Sequence, residues 1–114
     1  MPAFVTIGYG DREGYDRTEP DVRAAAHEQD ARLREKGTVT GIAGTPTQVR
    51  NHGAAGVETR SGPFLSSALP VAGFSVFEAA DLAEAVALVS RTPCAVAYGV
   101  VEVWPLEQVP RSEG

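Results

Sequence analysis

Apolar positions alternate with polar or small ones at the two ends of the chain and recur at helical spacing in two stretches between. Residues 3–9, AFVTIGY, place β-branched and aromatic side chains close together and stop at Gly10-Asp11, which predicts a first strand entering a turn. Residues 11–17 are polar and are expected to connect. Thr18-Glu19-Pro20-Asp21 then predicts a helix start, with Thr18 as the capping hydroxyl, Pro20 in the first turn and Asp21 answering the cap. This helix should run to about Lys36, with Gly37 as its stop and Arg32, Arg34 and Lys36 at the negative end of its dipole. Val22, Ala25, Ala26 and Leu33 fall on one side of it, beside a polar stripe of Arg23, His27, Asp30 and Arg34.

Residues 38–43 predict a short second strand. Thr47 to Arg50 and Val57 to Arg60 predict the arms of a hairpin around Asn51-His52-Gly53. Phe74 to Glu78 reads as a strand, and Asp81-Leu82-Ala83-Glu84 as a capping box opening a second helix with Leu82, Ala85, Val86 and Val89 inward. Thr92-Pro93 should end that helix, and Val96 to Trp104 alternates as a last strand before Pro105.

The order β, α, several β, α, β gives an α+β fold class: a ferredoxin-like βαββαβ antiparallel sheet with two helices on one face. With 114 residues, 43% of them hydrophobic, the chain can bury one two-layer core, so residues 1–106 are expected to form one domain and 107–114 a polar tail. Two helices on one side leave Phe74, Val76, Val100 and Trp104 among an apolar set on the other, which predicts a homodimer through the sheet faces, and hence a dimeric α+β barrel.

The net charge of −5 argues against unspecific nucleic-acid binding, which needs clustered Lys and Arg against phosphate. One Cys and two His leave no disulfide and no ordinary thiolate or imidazole metal cluster, so no metal and no cofactor are expected. The N-terminal apolar stretch lacks the basic start and length of a signal peptide, and no run approaches the roughly 20 apolar residues that span a bilayer, so a cytoplasmic protein without membrane contact is expected.

Several pieces, in order, resemble the YCII-related family and its DGPF branch. Tyr9-Gly10-Asp11 follows the first strand as that branch's Tyr-Gly-Asp does, and Gly62-Pro63-Phe64 matches its Gly-Pro-Phe. Gly73-Phe74 matches the glycine and aromatic residue that open the next strand. Residues 78–85, EAADLAEA, are similar to its Glu-Ala-Ala-Asp-Leu-Asp-Glu-Ala, and residues 101–105, VEVWP, to its closing Val-Glu-Val-Arg-Pro. The resemblance implies a dimeric α+β barrel with a small pocket near the first helix and the signature loop, and acid–base work by a histidine and an aspartate on a small metabolite. The chain also departs from the branch signature Asp-Gly-Pro-Phe-Ala-Glu-Thr-Lys-Glu: Ser61, Ser66, Ala68 and Leu69 stand where it has charged groups. Serine hydroxyls replace a carboxylate poorly as base or cation ligand at neutral pH. The Gly-Pro-Phe core remains, with Phe64 expected to anchor the loop in the core.

His27 is the leading candidate for acid–base chemistry, since an imidazole titrates near neutrality and Asp30, one turn on, can stabilise its charged form. Its position also resembles the family's helical histidine. The alternative is a surface histidine on the charged stripe. His52, between Asn51 and Gly53, reads as a turn tip. Arg60, with Arg50, can grip a carboxylate or simply pair with Glu58. Tyr9, Arg60, Ser61 and Phe64 are the candidate substrate-binding residues. Ser61, Ser66 and Ser67 lack a nucleophile elbow or a second positioned base. Cys94 has no cationic neighbour in sequence and is expected to pack as a small hydrophobe.

Two function classes follow. One is a small-molecule-handling protein, with His27 and Asp30 driving an elimination, isomerisation or cyclisation of a small organic ligand. The other is a non-catalytic dimeric binding or regulatory module that kept the fold and lost the charged loop. A cofactor-independent monooxygenase is favoured only by the fold. A His27 facing an enclosed pocket together with the loop favours catalysis, and an open, solvated His27 favours the module.

Overall fold

The computed structural model describes residues 1–107. All but one residue of the expected 107–114 tail therefore lies outside the described residues.

Ten elements follow one another: β1 (Ala3–Tyr9), α1 (Arg12–Arg17), α2 (Pro20–Glu35), β2 (Val39–Ile42), β3 (Thr47–Arg50), β4 (Glu58–Ser61), β5 (Val71–Glu78), α3 (Leu82–Val89), α4 (Pro93–Val96) and β6 (Val100–Pro105). Four strands form an antiparallel sheet in the order β2-β5-β1-β6, while among the described residues β3 and β4 pair only with each other. With that hairpin set aside as an insertion, the order is that of a ferredoxin-like α+β fold.

Alternation along β1 decides the two faces. Phe4 and Thr6 point to the helices and are buried, whereas Val5 and Ile7 point the other way and are half-buried. Phe4 lies opposite Phe77 in register, with ring centroids 6.0 Å apart. These rings, with Ala79, Ala85 and Val89, form the core under α3, and Leu88, Val101 and Val103 pack on it. Register places Val76 and Trp104 opposite Val5, Phe74 opposite Ile7 and Val100 opposite Tyr9, so all four lie on the open face, each about half exposed.

The helices depart from expectation in instructive ways. Residues 12–17 are helical rather than a connection, because the Asp11 carboxylate accepts from the Gly14 amide and caps the turn. Thr18 does not cap α2. It closes α1 instead, its hydroxyl donating to the Gly14 carbonyl at 2.9 Å, while Glu19 takes the N-cap of α2 without a side-chain bond. Among the described residues Asp21 accepts only from the neighbouring Val22 amide. The inward side of α2 is Ala26, Gln29 and Leu33, and Val22 and Ala25 are exposed. Gln29 is tolerated there because its amide donates to the Leu88 carbonyl at 2.8 Å and its oxygen accepts from Arg32.

The capping box of α3 forms as expected at Asp81, which accepts from the Glu84 amide, but Glu84 reaches back to the Ala80 amide. Ala85 and Val89 are buried, whereas Leu82 and Val86 are about half exposed. Pro93 opens a further short helix rather than ending one, since a proline at the first helical position costs no hydrogen bond. The last strand is therefore delayed to Val100. Tyr98 at φ +60° and Gly99 make the corner, and a Cβ on Gly99 would stand 2.3 Å from the Tyr9 carbonyl oxygen. Strand β5 starts three residues earlier than expected, at Val71.

In the hairpin, the Asn51 side chain accepts from the Gly56 amide and His52 is exposed in the turn. Phe64 does not anchor its loop in the core: it is 77% exposed, with the Arg50 guanidinium 5.6 Å from its ring centroid. The loop is tied by its backbone, the Gly62 amide donating to the Pro46 carbonyl and the Gly62 carbonyl accepting from Gln48. Among the described residues no helix is long and apolar enough to cross a membrane.

Candidate functional site

One wall of a cavity of about 320 Å³ is the face of α2 that carries His27, Asp30, Leu33 and Arg34. The floor is the helix side of the sheet, where Thr6 and Gly8 of β1 lie beside Gly73 and Ser75 of β5. The Thr6 and Ser75 hydroxyls, opposite one another in register, hydrogen-bond to each other. Val89 and Val101 supply apolar surface, and Cys94 of α4 enters beside Gly8. A Cβ on Gly8 would stand 2.9 Å from the Cys94 sulfur, so glycine is what leaves room for that side chain.

Spacing of three along α2 sets His27 and Asp30 one turn apart on the same wall. Asp30 is half-buried, and loss of hydration pushes its carboxyl pKa above the ordinary aspartate range, an effect opposed by the Arg34 and His27 charges. Burial, then the Asp30 carboxylate, raises the Cys94 thiol pKa, so the thiol stays protonated at neutral pH. His27 itself is exposed. Its Nε2 lies 2.7 Å from the Tyr15 hydroxyl, and the two rings meet edge-on with centroids 5.8 Å apart. Arg23 holds its guanidinium 5.1 Å from the Tyr15 ring centroid.

The structure thus brings His27 and Asp30 to one cavity and places Tyr9, Arg60, Ser61 and Phe64 outside its lining. The Tyr9 hydroxyl donates to Glu102, which raises the Tyr9 pKa, with burial and the Glu102 charge acting in the same direction. Arg60 pairs with Glu58 at 3.7 Å along the exposed strand β4 rather than across the hairpin. Ser61 ends the same strand. Phe64 lines a separate, wider hollow of about 860 Å³ with Leu65, Ser66, Ser67 and Leu69, and Phe74 borders both spaces. Of the signature loop's surroundings, only residues from Ala72 onward reach the α2 cavity.

Tyr15 and the cavity's hydroxyls were not visible as site residues in the sequence. Thr6 had a signal, being a polar residue at an inward position of an otherwise apolar alternation. Tyr15 had none, because a six-residue polar helix shows no apolar period. Among the described residues no three His, Cys, Asp or Glu side chains gather as a metal site.

Fold and cavity together define a ferredoxin-like α+β domain with a small cleft between its first long helix and the sheet. The model of the YCII-related domain matches residues 3–109, and the chain belongs to that family. No curated protein matches it.

Proposed function

We propose that the chain handles a small organic molecule in the cavity beside α2 and moves a proton on it with His27 and Asp30. The observation that carries this is the presence of both groups on one wall of a cavity where Asp30 is desolvated. Perturbed carboxyls facing a cleft are what proton-transfer sites use. A volume of about 320 Å³ lies at the small end of ligand pockets, roughly 300–1,000 Å³. Elimination, isomerisation or cyclisation of a small metabolite suits an acid–base pair without a metal.

The test begins with a ligand found by thermal-shift screening of small organic metabolites. His27→Ala is expected to abolish turnover of that ligand while leaving the assembly unchanged, and unchanged turnover sinks the role of His27.

A second reading, a non-catalytic binding module, is favoured by the exposure of His27 and by a signature loop that is uncharged and sits apart from the cavity. It expects a ligand held by Leu33, Val89 and Val101, with an affinity insensitive to His27→Ala. Both readings include a homodimer, supported by the half-exposed apolar face of Phe74, Val76, Val100 and Trp104. Membership of the DGPF branch is supported by the ordered pieces from Tyr9 to Pro105, and a cytoplasmic location by the single unpaired Cys94.

A further inference from the structure

We propose that Tyr15 is a positioning residue that fixes the tautomer of His27, so that the neutral imidazole carries its proton on Nδ1 and offers the cavity a hydrogen-bond donor. The starting observation is the 2.7 Å contact between the Tyr15 hydroxyl and Nε2. In such a pair the direction of donation follows from acidity. A phenol with a pKa of about 10 is a far stronger acid than the N–H of a neutral imidazole, and an imidazole lone pair accepts better than a phenol oxygen conjugated with its ring. Tyr15 therefore donates. Arg23 reinforces this, because a cation 5.1 Å from the ring centroid draws electron density from the ring and strengthens the O–H donor.

Once Nε2 accepts, a neutral ring has one place left for its proton, which is Nδ1. Among the described residues neither His27 nitrogen has another hydrogen-bond partner, and the Tyr15 hydroxyl has none besides Nε2. Free histidine favours the opposite tautomer, with the proton on Nε2, so the arrangement changes the chemistry that the side chain presents. The support under Tyr15 is rigid: Asp11 caps α1 at its start and the Thr18 hydroxyl closes it at its end. The charged groups around the ring are Arg23 on the Tyr15 side and Asp30 and Arg34 on the cavity wall.

The consequence for catalysis rests on the proton-transfer reading above. There, Asp30 is the proton acceptor, and the Nδ1–H of the neutral ring steadies the reacting oxygen by a hydrogen bond while keeping its proton, a division of labour that an undefined tautomer would not provide. The tautomer itself does not depend on that reading.

The test is long-range ¹H–¹⁵N NMR of histidine-labelled protein at about pH 8.5, roughly two units above the ordinary imidazole pKa. His52→Gln, in the exposed hairpin turn, leaves His27 as the only histidine signal. The expected result is a majority of the Nδ1–H form in this background and a several-fold shift towards Nε2–H on adding Tyr15→Phe. A majority of Nε2–H before that change overturns the proposal, and so does a folded Tyr15→Phe protein with an unchanged ratio. The ratio with Tyr15 intact decides alone if the variant does not fold. Turnover insensitive to His27→Ala would remove the catalytic role and leave the tautomer result standing.

Discussion

A half-buried carboxyl on the wall of α2 faces a cavity whose floor offers hydroxyls and apolar surface but no hydrogen bond to it among the described residues. Asp30 therefore binds its proton more tightly in the folded chain than in the unfolded one. Between the unfolded aspartate pKa, about 3.9, and its raised folded value, the native state holds more protons, so stability from this group falls as pH rises through that window. Asp30→Asn removes the charge and is expected to raise the melting temperature at pH 7, with the gain shrinking as pH falls toward about 3.9. A melting temperature lowered at pH 7 would show that Asp30 is instead held by favourable charges. Residues that weaken the fold where they stand are characteristic of sites, since desolvation is tolerated there for its chemistry.

Elements with an apolar period were legible, and those held by a single side-chain contact were not. The alternation of residues 3–9 and the Asp81 to Glu84 cap led directly to β1 and α3. Helix α1 was missed because one Asp11 bond to Gly14 creates it, and Thr18 was misassigned because it serves the helix before it instead of the one after. The wall of α2 was half legible: His27 and Asp30 stand where spacing put them, but the buried line runs through Gln29, whose polarity hides it from a hydrophobic pattern. Ser61 and Phe64 kept the look of a site through their motif, yet Ser61 ends an exposed arm and Phe64 lies exposed in the loop after it. Among the described residues that arm, β3 with β4, is bonded to no third strand, and isolated two-stranded hairpins are marginal in water. Its amides are expected to exchange with solvent at least about tenfold faster than those of β1, by hydrogen-exchange mass spectrometry. Equal protection would mean that the arm is covered by another chain.

At the scale of the molecule the arm and the uncovered face shape everything outside the core. The radius of gyration is 16.4 Å, against about 13 Å for a compact domain of roughly 100 residues, and the long axis reaches 52 Å. A sheet with helices on one side only, carrying Phe74, Val76, Val100 and Trp104 on the other, calls for a second layer. Trp104→Asp places a charge on that open face, on the edge strand β6, and is expected to halve the mass seen by light scattering while leaving the circular dichroism spectrum unchanged. A wild-type protein already monomeric at micromolar concentration would remove the sheet-to-sheet dimer. One further property of the sheet lies in how its ends are joined. The start of β1 and the end of β6 are antiparallel neighbours, and the Leu106 amide donates to the Ala3 carbonyl at 3.0 Å. Tension applied between residues 3 and 106 would load this bond first and then the pairs behind it one after another, as a zipper is opened. Along this one direction the domain yields by peeling, pair by pair, rather than by shearing all of its strand bonds at once.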